Sequence, residues 1–100
     1  MVKYGIVLYP KVYDDIDDIY LYVSIMLQDP TTAKRQTDII WDAIKKLETF
    51  PQSHQDRLYG RYANKGYKQL IVNRFIVIYK IDEYKKEVSV VTVQYCGRNL

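Results

Sequence analysis

Apolar positions recur along this chain with two periods, and the switches between them mark its elements. Residues 2–9 are rich in Val, Ile, Leu and Tyr and stop at Pro10, which predicts a first strand. From about Val12 the spacing lengthens. Val12, Ile16, Ile19, Tyr20, Val23 and Leu27 fall at three- and four-residue steps, the stripe of a helix buried on one side. Gln28-Asp29-Pro30 breaks that stripe and restarts it at once: Asp29 can cap a following helix, and Pro30 suits its first position, where no amide hydrogen is needed. The second stripe is Ala33, Thr37, Ile40, Trp41, Ile44 and Leu47, ending before Pro51. Helices joined by so short a link pack as an antiparallel hairpin or cross steeply. Trp41, lying on the stripe, is expected to pack in the core and not to serve a ligand.

In the second half the period shortens again. Residues 50–55 read as a loop, residues 57–62 as a short or irregular strand, and Ala63-Asn-Lys-Gly66 as a turn, because Asn64 and Gly66 tolerate positive φ. Residues 67–72 and 75–81 are strand-like and divided by Asn73-Arg74. A polar connection over 82–87 leads to a last strand at 88–95. This order predicts an α+β fold: an N-terminal strand, a two-helix antiparallel hairpin, then an antiparallel sheet meander. At 100 residues one domain spanning 1–100 is expected, and no internal repeat or low-complexity stretch divides it.

Composition narrows the class. With 48% apolar and 27% charged residues the chain has the profile of a globular protein and not of a disordered one. No apolar run nears the roughly 18 residues that cross a bilayer, and the start lacks the regions of a secretion signal, so a cytoplasmic location without a membrane partner is expected. The single Cys96 cannot form an internal disulfide, and one distant histidine, His54, gives no metal pattern. A P-loop, a dinucleotide glycine fingerprint, a zinc-protease helix and paired cysteines are absent, so no cofactor is expected. Ser24, Ser53 and Ser89 lack the flanking glycines of a nucleophile elbow. His54 reads as a plain loop residue, and Asp14, Asp15, Asp17 and Asp18 as a solvated helix start favoured by the helix dipole.

Charge adds a direction. The net charge is only +3, yet Arg57, Arg61, Lys65, Lys68, Arg74 and Lys80 fall between residues 57 and 81 with no acidic residue among them. A basic half beside an acidic one points to an anionic partner on one face. Tyr59, Tyr62 and Tyr67 interleave with these cations. Cations neutralise phosphates and flat rings stack on bases, so the stretch suits a single-stranded or distorted nucleic acid. It suits an acidic protein partner equally, since tyrosine is also favoured at protein interfaces.

The order of several pieces resembles the RelE/ParE superfamily of type II toxin–antitoxin toxins over nearly the whole chain. They are the strand Tyr4-Gly-Ile-Val-Leu-Tyr9, the helix segment Asp14 to Val23, the restart Asp29-Pro30-Thr-Thr-Ala33, and Leu47-Glu-Thr-Phe-Pro51. The hairpin Gly66-Tyr-Lys-Gln-Leu70 to Tyr79 and the terminal Val93-Gln-Tyr-Cys-Gly-Arg98 complete the set. The resemblance implies a growth-arresting toxin neutralised by a cognate antitoxin encoded beside it, with contact to operator DNA through that antitoxin. It also implies one of two targets. RelE-type members cleave messenger RNA on the ribosome, as metal-independent mRNA interferases, whereas ParE-type members block DNA gyrase without chemistry of their own. For a ribonuclease the catalytic set would be Lys68, Arg74, Tyr95 and Arg98, with Arg61 and Tyr79 as further replacement groups. Target or nucleic-acid binding would fall to Arg57, Arg61, Lys65, Lys68 and Arg74. Lys68 matches a basic position of the RelE pattern, but Leu70 and Ile76 stand where a second lysine and an arginine are expected. Together with the Asp-Pro restart this favours the ParE branch, with mRNA cleavage as the alternative and a degenerate fold acting only as a binding partner or corepressor as a third.

Overall fold

The structure is a computed structural model of the chain, and it describes residues 3–95. Strand β1 (Gly5–Leu8) leads into helix α1 (Pro10–Leu27) and helix α2 (Pro30–Lys45). Two single 3₁₀ turns (Lys46–Glu48 and Pro51–Ser53) precede β2 (Gln55–Asp56), β3 (Tyr67–Val72), β4 (Phe75–Asp82) and β5 (Glu87–Tyr95).

Proline sets both helix starts. Pro10 does more than end the strand: it occupies the first turn of α1, behind an extended Tyr9 that offers no side-chain cap. The aspartates therefore lie past the first turn, which holds no acidic residue, and the helix-dipole account expected for them fails. Only Asp14, Asp17 and Asp18 are solvated, whereas Asp15 turns inward. Gln28, with φ 52°, closes α1, and Asp29 caps α2 by accepting from the Thr31 and Thr32 amides.

The sheet order is β1-β5-β4-β3-β2. From β2 to β5 it is the expected antiparallel meander, but β1 joins at the edge, parallel to β5, with Gly5 opposite Glu87 and Leu8 opposite Val90. A parallel pair needs a crossover, and here the crossover comprises everything between the first and last strands. The strand expected at 57–62 is absent. Its pairing is taken by Gln55 and Asp56, opposite Gln69 and Lys68. Residues 57–66 instead loop out, because Gly60 (φ 78°), Asn64 (φ 57°) and Gly66 (φ 84°) all take left-handed backbone that an extended ladder cannot hold.

One face of the sheet carries Leu70, Val72, Phe75, Val77, Tyr79, Val88, Val90 and Val93, and the two helix stripes pack on it. Trp41 lies half-buried at the margin of this core, its ring 5.8 Å from that of Tyr13. Tyr79 is fully buried, and its hydroxyl donates to the Pro51 carbonyl at 2.5 Å. Past the end of β1, no strand among the described residues neighbours the β5 edge. There the register slips between Ile78 and Tyr79, a bulge, and Asp15 reaches across from α1. Its carboxylate accepts from the Val93 amide at 3.0 Å, from the Thr92 hydroxyl, and from Lys11 Nζ at 2.7 Å.

Asp29 and Glu83 bind protons less readily in this fold than in the open chain. The Thr32 hydroxyl and amide hold Asp29 below the usual carboxylate range. The Tyr4 hydroxyl, then the Gln52 amide, do the same for Glu83, which ties β1, the second 3₁₀ turn and the β4–β5 turn together. A carboxyl whose pKa is lowered on folding contributes its stabilisation in full above the ordinary carboxylate value and loses it as pH falls through the folded one. Thermal midpoints are therefore expected to drop on acidification through that window. Glu83→Gln and Asp29→Asn should each flatten the drop, and an unchanged pH profile in both would refute the assignment.

Candidate functional site

The structure separates the basic side chains into three places. Lys68 faces the helix side of β3, opposite Tyr79, and is spent there: its Nζ donates to Asp56 Oδ1 at 2.9 Å and to the His54 carbonyl at 3.2 Å. His54 itself packs edge-on against the Tyr79 ring at 6.3 Å, so it has a packing role within its loop. Burial pushes the Tyr79 phenol well above its ordinary value, and the Asp56 charge adds to this, so the group cannot supply a base here.

Arg74 and Tyr95 come together at the opposite end of β3. They line a cleft of about 310 Å3 with Val23, Leu27, Gln36, Asn73 and Phe75, at the tight turn that Asn73 makes with φ 54°. The Tyr95 ring is held by Phe75 and Tyr22, at 5.2 and 5.3 Å. Four residues of extended chain separate Lys68 from Val72, about 13 Å at the rise of a β-strand, and Arg74 lies beyond Val72 in the Asn73 turn. Leu70 packs against the core and Ile76 is half-buried. Arg98 lies outside the described residues.

The third place is the sheet face turned away from the helices. Arg57 closes the 57–66 loop onto this face: its amide donates to the Tyr67 carbonyl at 2.8 Å and its Nη1 to Gln69 Oε1 at 2.8 Å, while its Nε is buried without a partner. Arg61 stands 6.0 Å from the Tyr62 ring centre, Tyr62 meets Tyr67 edge-on at 5.0 Å, and Lys80 lies over Tyr67 at 5.5 Å. Lys65 is exposed beside them. Sequence reasoning counted Lys80 among the cations but did not place it with Tyr67. Strand alternation alone puts Tyr67 and Lys80 on one face once their pairing is known. Among the described residues, no three His, Cys, Asp or Glu side chains could together hold a metal ion, and no helix is long and apolar enough to cross a membrane.

The structure is similar to the "Chromosomal ParDE TA system from P. aeruginosa", with TM-score 0.76 and 17% identity, covering 93% of this chain and 96% of that one. It is similar to the RelBE2 toxin–antitoxin complex from Mycobacterium tuberculosis, with TM-score 0.65 and 17% identity over 95% and 93% of the two chains. A YoeB/ParE toxin from Agrobacterium tumefaciens gives TM-score 0.58 and 19% identity over 91% and 96%. At such identities the likeness is one of fold. The profile of the ParE toxin of the type II toxin–antitoxin system parDE matches residues 6–100, and the chain belongs to that family, within the RelE/ParE superfamily. No curated protein sequence matches it.

Proposed function

We propose that this toxin arrests growth as ParE-type members do, by docking on DNA gyrase and catalysing nothing itself. The observation that carries this reading is the scatter of its cations. In-line cleavage of a phosphodiester requires positive groups converging on one phosphate, whereas Lys68 is ion-paired at one end of β3 and Arg74 stands at the other. Leu70 and Ile76, on the strands between, are apolar. A cognate antitoxin is the natural cover for the far end of α1, where Leu21, Ile25, Met26 and Leu27 are 57–72% exposed. Clustered apolar exposure of this kind marks a partner surface.

Added to gyrase and relaxed plasmid, the purified toxin is expected to abolish supercoiling at concentrations comparable to the enzyme, and its antitoxin to restore it. Supercoiling and DNA cleavage that do not change would overturn the reading. New transcript ends inside translated messages after induction would replace it with ribosome-dependent mRNA cleavage.

A further inference from the structure

The outer face of the sheet holds a hollow of about 350 Å3, at the lower end of the roughly 300–1,000 Å3 that small ligands occupy. Strand order builds it. Tyr67 pairs with Lys80, Lys80 with Ser89, and Ser89 with Val7, two residues before Tyr9. One row across four strands thus brings two tyrosine rings, an ammonium and a hydroxyl around an apolar floor at Val91.

The ammonium, the hydroxyl and the outer ring of this hollow carry no hydrogen bond or ion pair among the described residues. Lys80 rests over the Tyr67 ring and has no carboxylate partner among the described residues. Two carboxylates also line the hollow, and their own partners lie outside it: Asp82 accepts from the Lys85 amide, and Glu83 accepts from Tyr4 and Gln52 and pairs with Lys86 at 3.5 Å. Neither the Ser89 hydroxyl nor the Tyr9 ring has a hydrogen-bond or ring partner among the described residues, and Tyr9 is 47% exposed. Arg61 and Lys65 continue the positive surface along the adjoining loop.

We propose that this hollow binds one nucleotide unit of a single-stranded nucleic acid. The base lies against Tyr9 with its edge toward Ser89, and the phosphate is drawn to Lys80. A free ring beside a cation is the pairing that single strands use, since every base has a face to stack and every unit a charge to neutralise. A duplex keeps its bases stacked and cannot present one here. An acidic peptide would satisfy Lys80 but leave Tyr9 and Ser89 unused.

The test is fluorescence anisotropy of a short labelled oligothymidylate with the full-length toxin; it contains no gyrase and so stands or falls apart from the target proposed above. Lys80→Ala is expected to weaken binding about tenfold and to reduce the slope of log affinity against log salt by about 0.7, the share of one phosphate on a single strand. Tyr9→Ala and Tyr9→Leu should each cost about tenfold with the slope unchanged, because stacking and not charge is lost. Lys34→Ala removes the same charge from α2 and should bind as the parent does. Each substituted side chain is exposed, so circular dichroism should match the parent throughout. The proposal fails if the parent does not bind, if Lys34→Ala matches Lys80→Ala, or if polyglutamate displaces the oligonucleotide as well as unlabelled oligothymidylate does. The last result would indicate an acidic protein partner.

Discussion

A Tyr79→Ala variant is expected to lose about 3–5 kcal/mol of folding stability, the range for deleting a large buried aromatic side chain. Domains of this size have only about 5–15 kcal/mol to lose, so the variant should be substantially unfolded near physiological temperature. Tyr79 sits in the middle of β4 between Lys68 of β3 and Val90 of β5, and no part of it is exposed. Its ring fills the sheet side of the core, and its hydroxyl fixes the buried Pro51 carbonyl, anchoring the chain where it leaves the helices. Tyr79→Phe separates the two contributions. It keeps the ring and leaves one carbonyl unpaired, at a cost of about 1–2 kcal/mol. Urea unfolding of the pair checks this, and a Phe variant as weak as the Ala variant would show that the hydrogen bond, not the packing, dominates.

Asp15→Ala is the second large effect, at about 2–4 kcal/mol, because charged hydrogen bonds are lost and the Val93 amide is left unpaired in a site that water reaches poorly. The Asp15 side chain is only 14% exposed, and it binds the Val93 amide, the Thr92 hydroxyl and Lys11 together. It closes the β5 edge that β1 is too short to cover. Amide exchange read residue by residue should show Val93 losing protection more than Val77, its neighbour on β4. A uniform loss of protection, or a cost below about 0.5 kcal/mol, would mean that Asp15 does not close this edge.

Much of this fold was legible because it is local. The stripes from Val12 to Leu27 and from Ala33 to Leu47, the Asp29-Pro30 restart and the Asn73 turn each record a conformation set by neighbouring residues. What could not be read depends on residues far apart. Nothing near Gly5 announces a parallel partner at Glu87. The alternating Arg57-Leu-Tyr59-Gly-Arg61-Tyr pattern mimics a strand, but its glycine already favours the left-handed turn that the structure adopts. Asp15 looked like its three neighbours, and only the short reach of β1 gives it separate work. Positions of the site followed the same rule: the cations were visible as a run, but which of them meet was decided by pairing. Lys68 is neutralised by Asp56 because β2 falls two residues earlier than the pattern suggested.

The parallel seam between β1 and β5 also sets a clock. Ribosomes add about 5–20 residues per second, so the 82 positions from Gly5 to Glu87 take roughly 4–16 s to make. Throughout that interval Ile6 and Leu8 have no strand beside them, and the helix stripes have no finished sheet to cover. Local turns and the hairpin can form early, but the closing contact spans almost the whole chain, the kind of pairing that slows folding. Whatever activity depends on the complete sheet can therefore arise only once β5 has emerged, and a cell making this protein is spared its folded form until then.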